Sequence, residues 1–329
     1  MAVYLTIVIA NAGGYVDKLI ETEIRMNVAM VIKEDPALRG YTEEQKMSLI
    51  ESQVKTQLKM KGLDKPFFIR SLYHLRNALT LNLGTAMWMT SDSGSMKVKN
   101  IILERLPLTI LLFTTATVLI FFINLFLGLK LSQKYGSFLD KLIVYLSPLS
   151  TIPGWFYGIF LLLIFYSWLH ILPHGGFMDF PPPPTLWEKI LSVIKHMILP
   201  LSAWLISSIF VGTYSERNFF LIYSTEDYVE VARAKGLPSK DVERKYILRP
   251  ALPPIITSFA LSVISSWMGA IITEHIFSWP GLGMVLSQAI GMFDAPVIIG
   301  VTVIYAYLLA GTVLLLDFIY AIIDPRVRI

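Results

Sequence analysis

The residues with the most chemical character lie in one stretch, "DYVEVARAKGLPSKDVERKYILRPALPP", running from Asp227 to Pro254. It is dense in charge and well punctuated by Gly and Pro, yet two nearly unbroken apolar stretches flank it. It offers no nucleophile poised for catalysis, no metal-binding cluster and no phosphate cradle. What remains is charge and shape, the chemistry of docking on another protein. The elements on either side decide what such a loop is for.

Hydrophobic residues make up 54% of the 329-residue chain and charged residues 16%, against about 25% charged in soluble domains. Residues 107–129, 143–169, 197–215, 255–273 and 297–316 contain no Asp, Glu, Lys or Arg. Each run is long enough to cross roughly 30 Å of hydrocarbon as a helix, and too long and uniformly apolar for a barrel strand. The expected fold is therefore an all-α polytopic membrane protein with five full spans. The first 12 residues, "MAVYLTIVIANA", would make roughly 18 Å of helix. They read as the outer part of a truncated first span, because they lack the basic leader and cleavage site of a signal peptide. With no cysteine, neither disulfides nor thiolate metal sites can form. The net charge of +4 is read as Lys- and Arg-rich loops rather than as a surface for an acidic partner, and no nucleic acid is expected.

Lys and Arg in short loops set orientation. Lys130, Lys134 and Lys141, then Arg217, Arg233, Lys235, Lys240, Arg244, Lys245 and Arg249, then Arg326 and Arg328 fall on one side. The alternate short loops hold only Lys189 and Lys195. The side with twelve is expected to be cytoplasmic, which places the loop 217–252 and the C-terminus inside the cell. Residues 13–100 then form an extracytoplasmic helical region ahead of a transmembrane domain at 101–329. Within that region Thr42 and Gln45 form a capping box, Met47, Ile50, Val54 and Leu58 an apolar face, and Gly62 a stop signal. The face is expected to pack on the transmembrane domain, with an external partner as the alternative. "FPPPPT" at 180–185 reads as a stiff spacer.

The span centres hold no ionisable group, since Glu274, His275 and Asp317 fall at span ends. A proton or sodium couple is thus poorly supported. The chain also lacks a G-x-x-x-x-G-K-[ST] phosphate loop, so energy for uphill movement would come from another subunit. In the fifth run, Ser258, Ser262, Ser265, Ser266, Gly269 and Thr273 recur at three- and four-residue spacing. One face of small and hydroxyl side chains suits either close helix packing or the lining of a passage for a polar solute. Pro148, Pro153, Gly154 and Pro200 allow bends in the spans before it.

The charged stretch itself reads as two short rods. Thr225 caps the first, Glu226 and Asp227 favour its positive end, and Gly236 stops it. Pro238 forbids continuation, Ser239 caps the second rod, and Pro250 ends it. Ala232 and Ala234 keep the first rod slim, suited to a groove on another protein. Here "EVARAKG", Glu230 to Gly236, resembles the E-A-A-x-x-x-G signature of inner-membrane permeases of binding-protein-dependent ABC importers, with Val231 in place of the first alanine. "DYVEVARAKGL", "EHIFSWPGLG" at 274–283, "DPRVR" at 324–328, "GLDKPF" at 62–67, "NLGT" at 82–85 and "ERLP" at 104–107 together resemble the dipeptide/oligopeptide permease subfamily over about residues 62–329.

The resemblance implies a type I ABC importer transmembrane domain, with six spans of which the truncated one is the first. It implies a second homologous permease subunit, two cytoplasmic ATPase subunits that hold ATP-Mg, and an extracytoplasmic solute-binding protein. This chain itself would need no cofactor beyond the surrounding membrane lipid, and would not be an enzyme. Glu230, Ala232 and Gly236 would belong to the ATPase-coupling element. The substrate would be a di- or oligopeptide. An oligosaccharide carried by the same machinery is the alternative; a secondary transporter or a membrane scaffold fits less well.

Overall fold

The computed structural model describes the chain except for residues 1–3, 5–7, 9–14, 36–37, 39, 61, 268 and 324–329. The N-terminal apolar stub, apart from Tyr4 and Val8, and the "DPRVR" segment therefore lie outside the described residues. Among the described residues the structure is helical, with one isolated bridge between Thr85 and Lys97. The all-α reading holds, with four helices long and apolar enough to cross a membrane and a fifth span if a bent pair counts as one. The chain divides into two compact units, Met1–Ile102 with Ala289–Ala306, and Leu103–Gln288 with Tyr307–Ile329.

In the first unit, helices α1 (Tyr15–Glu34) and α2 (Glu43–Met60) form a hairpin. Thr42 and Gln45 cap α2 reciprocally: Gln45 Oε1 accepts from the Thr42 N–H at 3.0 Å and Thr42 Oγ1 from the Gln45 N–H at 3.4 Å. Gly62, at φ +71°, lies just beyond the end of α2. Ile50 and Val54 of the expected face are buried, but against Ile24, Val28 and Ile32 of α1. The face thus covers a neighbouring helix of its own unit, while Met47 stays exposed. Helix α3 (Phe67–Leu79) follows. The segment 84–97 then doubles back, with the Ala86 N–H donating to Met96 O at 2.7 Å. Its turn is held by a remote carboxylate. Asp294 Oδ2 accepts from the backbone N–H groups of Met87, Trp88 and Met89 at 3.0, 2.8 and 3.1 Å.

The second unit is built on two long helices, α4 (Val98–Gln133) and α7 (Leu186–Ser224). At 36 and 39 residues they would measure roughly 54 and 58 Å, more than the hydrocarbon layer needs. Thr185, the last residue of the Pro-rich segment, forms a capping box with Glu188 at the start of α7. The two helices approach closely. A Cβ on Gly128 would meet Glu216 of α7, and one on Gly212 would meet Asn124 of α4.

The run 143–169 is not one bent helix. Helix α5 (Phe138–Leu146) passes into a 3-10 turn at Ser147–Thr151, and α6 (Gly154–Leu161) starts afresh before a π turn at Leu162–Trp168. The two halves meet at 93°. The cause is Pro153, which cannot donate into a helix and pushes Ile152 to extended geometry. After α7 come α8 (Asp227–Ala234), the single turn α9 (Ser239–Asp241) and a π turn at Val242–Leu248. Next are α10 (Arg249–Ser266), α11 (Ile271–Ile276), α12 (Leu282–Gly291) and α13 (Ala295–Ile323).

Arg217, counted above as a loop cation, lies inside α7 and is buried. Its Nε and Nη2 donate to Asp140 Oδ1 and Oδ2 at 2.7 and 2.8 Å. The Gly136 N–H donates to the same carboxylate at 2.8 Å, and Tyr135 stacks 4.7 Å from the guanidinium. Removing one member of such a buried pair strands the other, at a cost of about 3–5 kcal/mol. Arg217→Met should therefore destabilise the protein strongly, and adding Asp140→Leu should recover part of the loss. Thermal unfolding of the single and double variants in detergent checks this; equal losses for both would mean that the pair is not the anchor.

Candidate coupling and pathway sites

Helix α8 has two faces with different occupations. Val229 and Ala232, three residues apart, are buried at 0% and 2% exposure in a cluster with Leu129, Phe220, Val242, Ile247, Ala251 and Ile255. Asp227, Tyr228, Glu230, Val231, Ala234 and Lys235 are exposed. Ala232 therefore keeps the rod close to its own chain, and does not line a face free for another protein. Partial burial and the neighbouring Glu226 carboxylate hold the Tyr228 hydroxyl above the ordinary phenol range, so it stays a neutral donor.

The N-cap of α8 is Glu226. Thr225 instead ends α7, where its hydroxyl donates back to the carbonyl of Leu221. Gly236 terminates α8 as expected. It sits at φ +73°, with its N–H donating to Arg233 O at 2.9 Å, and the Leu237 N–H reaches Ala232 O at 3.4 Å. This is a Schellman ending, and Leu237 adds its hydrophobic contact. A Cβ on Gly236 would touch nothing within 4 Å, so the requirement for glycine is backbone geometry alone. The second rod differs from expectation. Pro238 caps it, and Pro250 does not end it, since the helix continues through to Ser266. The π turn upstream leaves Pro250 in the first turn of α10, where its missing N–H is not called on.

The fifth run breaks as well, and the strip of small residues breaks with it. Helix α10 stops at Ser266 and Gly269 takes φ +64°. Ser258, Ser262 and Ser265 remain together and exposed on α10, and Ser266 is half-buried with its hydroxyl 3.3 Å from Thr114 Oγ1. Gly269 lies in the break. Thr273 lies in α11, buried, and accepts from Trp204 Nε1 at 3.4 Å. The six residues are therefore not one face.

Glu274, placed at a span end by sequence, is fully buried. Its Oε1 accepts from Thr109 Oγ1 at 2.8 Å, and its Oε2 from the Met284 N–H at 3.0 Å. Thr109 in turn accepts from the Leu282 N–H at 2.7 Å. Carboxylate and hydroxyl together close the first turn of α12, whose positive end favours a negative group. The "WPGLG" turn wraps this knot. Trp279 is buried and its indole N–H donates to Leu108 O at 2.9 Å. Sequence reasoning missed Asn124, whose Oδ1 accepts from Thr213 Oγ1 at 3.1 Å between α4 and α7. The available signal was a lone amide in an apolar run, which a search for charges passes over.

The residues 124–329 match the family model described as "binding-protein-dependent transport system inner membrane component". The chain belongs to this family. It is a transmembrane permease subunit of a binding-protein-dependent ABC importer, and the matched region carries α8, α10 and Glu274. Among relatives, the oligopeptide transport system permease protein AppB of Bacillus subtilis (strain 168) is 32% identical over 268 residues, covering 81% of this chain and 82% of the relative. The dipeptide transport system permease protein DppB of Lactococcus lactis subsp. cremoris (strain MG1363) is 30% identical over 82% and 83%. The probable D,D-dipeptide transport system permease protein DdpB of Escherichia coli (strain K12) is 30% identical over 91% and 90%.

The knot of this permease predicts a contrast between two glycines. A Cβ on Gly281 would collide with Glu274 Oε1 and Thr109 Oγ1, whereas one on Gly291 would meet nothing within 4 Å. Gly281→Ala should destabilise the protein by about 1–3 kcal/mol, as overpacking does, and Gly291→Ala should not. Unfolding temperatures of the two purified variants decide it.

Proposed function

We propose that the chain pairs with a second homologous permease, two cytoplasmic ATPase subunits holding ATP-Mg and an extracytoplasmic solute-binding protein, and that the assembly imports di- or oligopeptides across the cell membrane. Peptide as substrate is supported by the names of the relatives, which are oligopeptide and dipeptide permeases. The loop 217–252 and the C-terminus face the cytoplasm on this reading, as the clustered Lys and Arg favour.

The observation that carries the coupling role is the division of α8. Val229 and Ala232 join it to the ends of α7 and α10, while Glu230 and Val231 stand exposed. ATPase movement against the exposed face would then be handed to two spans through the buried face. Glu230 and Val231 are the contact residues, Ala232 is the joint, and Gly236 fixes the length of the rod. The exposed hydroxyls of Ser258, Ser262 and Ser265 are assigned to the pathway or to the permease–permease interface. Ser266, Gly269 and Thr273 shape the end of that surface from within.

In proteoliposomes holding the full complex, Gly236→Val should insert normally and lose binding-protein-stimulated ATP hydrolysis and uptake. Left-handed geometry costs a residue with a Cβ about 1–2 kcal/mol. Val231→Asp should lower coupling on the order of tenfold, equivalent to about 1.4 kcal/mol of contact. Glu230→Ala should be milder, since an exposed ion pair contributes about 0–1 kcal/mol. Full coupling in both Gly236→Val and Val231→Asp would remove α8 from the proposal. The substrate is tested in the same vesicles with labelled peptides against an oligosaccharide of similar mass. Uptake of the sugar alone would overturn the peptide assignment. Ser262→Leu should reduce uptake; normal uptake and assembly would make the serine surface idle.

A further inference from the structure

The helix α5 exposes an unusual amount of apolar surface for an element that begins in a charged loop. Phe138, Leu139, Leu142 and Tyr145 are exposed at 78%, 61%, 36% and 81%. Lys134 and Lys141 are exposed beside them. Asp140 is the one buried residue of this helix. A lipid-facing transmembrane helix would also expose apolar residues, so exposure alone does not say what covers this one.

Depth along α7 decides. Asp140 is tied to Arg217, two residues past the charge-free run 197–215 and so at the edge of the hydrocarbon layer. Ten residues later, Ser150 Oγ accepts from the Val211 N–H at 3.2 Å. From Arg217 to Val211 is about 9 Å along α7, while ten helical residues would advance about 15 Å. The segment 138–151 therefore runs obliquely and gains about 9 Å along α7, less than a helix parallel to it would. At Ile152–Pro153 the path turns by 93°, which leaves Gly154–Trp168 as the segment free to head across. Those fifteen residues cover roughly 22 Å, short of the roughly 30 Å of hydrocarbon. A preceding helix seated about 5–10 Å into the headgroup–acyl boundary makes up the difference.

We propose that α5 and its 3-10 extension, residues 138–151, form an interfacial helix that lies in the lipid headgroup layer at the Arg217 end of α7. Its aromatic and aliphatic side chains would sit in the acyl boundary, Lys134 and Lys141 would meet lipid phosphates, and the Asp140–Arg217 pair would clip it to α7. The third span would then cross the membrane with α6 and its π extension alone. Tyr and Trp prefer this layer, and basic residues beside it gain from anionic lipid.

The test uses the absence of cysteine from the chain, which makes any introduced thiol unique. Single-cysteine variants at Leu139, Leu142, Tyr145 and Leu149 are spin-labelled before assembly into the complete transporter in lipid vesicles. Depth is read from collisions with oxygen and with a water-soluble nickel chelate. The expected result is that all four labels contact lipid, within about 10 Å of the phosphate plane, with no more than about 9 Å of depth gained from Leu139 to Leu149. A steady descent of about 1.5 Å per residue toward the bilayer centre would show a crossing helix and overturn the proposal. Labels shielded from both colliders would mean that protein, not lipid, covers α5, and would overturn it equally. Lys141→Cys, next to the clip, should give the shallowest reading of the series; a reading deeper than that at Leu149 would again count against it.

Discussion

A backbone in hydrocarbon has no water to bond with, so every departure from the α-helix must be satisfied by the chain itself. This constraint organises the second unit. Its helices depart from regularity at the π turns Leu162–Trp168 and Val242–Leu248, at Ile152–Pro153, and between Ser266 and Ile271. Two of these departures have side-chain partners close by. At the proline break the Tyr157 hydroxyl donates to Leu149 O at 2.7 Å, and Thr151 Oγ1 donates to Pro148 O at 2.7 Å. Beyond the second break, Thr109 and Glu274 take up the loose N–H groups of the first turn of α12, and the Trp279 indole ties the turn before it to Leu108 O of α4. Tyr157, Thr151, Thr109 and Glu274 are polar residues that sit where the backbone is irregular nearby.

The same economy explains how α8, the proposed lever, is held as a helix although it has only eight residues. An isolated helix of that length is unstable in water. Burial of Val229 and Ala232 against Phe220, Ile247 and Ala251 supplies what propensity cannot. The Schellman turn at Gly236 then fixes where the rod ends. A displacement applied to Val231 or Glu230 meets a side chain three residues or fewer from a fully buried one, so little of it is absorbed by bending. The joint is apolar and close-packed, and packed interfaces shift between discrete arrangements instead of deforming smoothly.

Local signals were legible in the sequence, and distant partners were not. The capping box at Thr42 and the stops at Gly62 and Gly236 each depend on residues within a turn or two, and all have the expected form; of the apolar face of α2, Ile50 and Val54 are buried as a face should be, though on α1 and without Met47. Asp294 could not be paired from sequence with N–H groups more than 200 positions away, nor Glu274 with Thr109 at a separation of 165. Punctuation residues misled where tertiary structure overrode them. Pro250 reads as a helix end, but the π turn before it absorbs the missing donor. Gly269 and Thr273 read as one face with the serines because spacing alone cannot register the break at residues 267–270. Ala232 reads as slim enough to enter a partner, and its slimness serves the chain's own core.

Two of the buried carboxylates of the second unit also bear on where the energy for transport enters. A carboxylate that carries a coupling ion must exchange partners during the cycle, so it needs a vacant coordination position. Glu274 has both oxygens occupied, by Thr109 Oγ1 and by the first turn of α12. Asp140 has both oxygens occupied by Arg217, with Gly136 in addition. Freeing either would strand donors of the chain in a water-poor interior, at about 1–3 kcal/mol for each. Glu274 and Asp140 are thus built as fixed clamps that hold helix ends in place, and clamps transmit force without generating it. A permease made this way needs to be moved from outside its spans, and in the mechanism proposed above the exposed face of α8 is where that push is received.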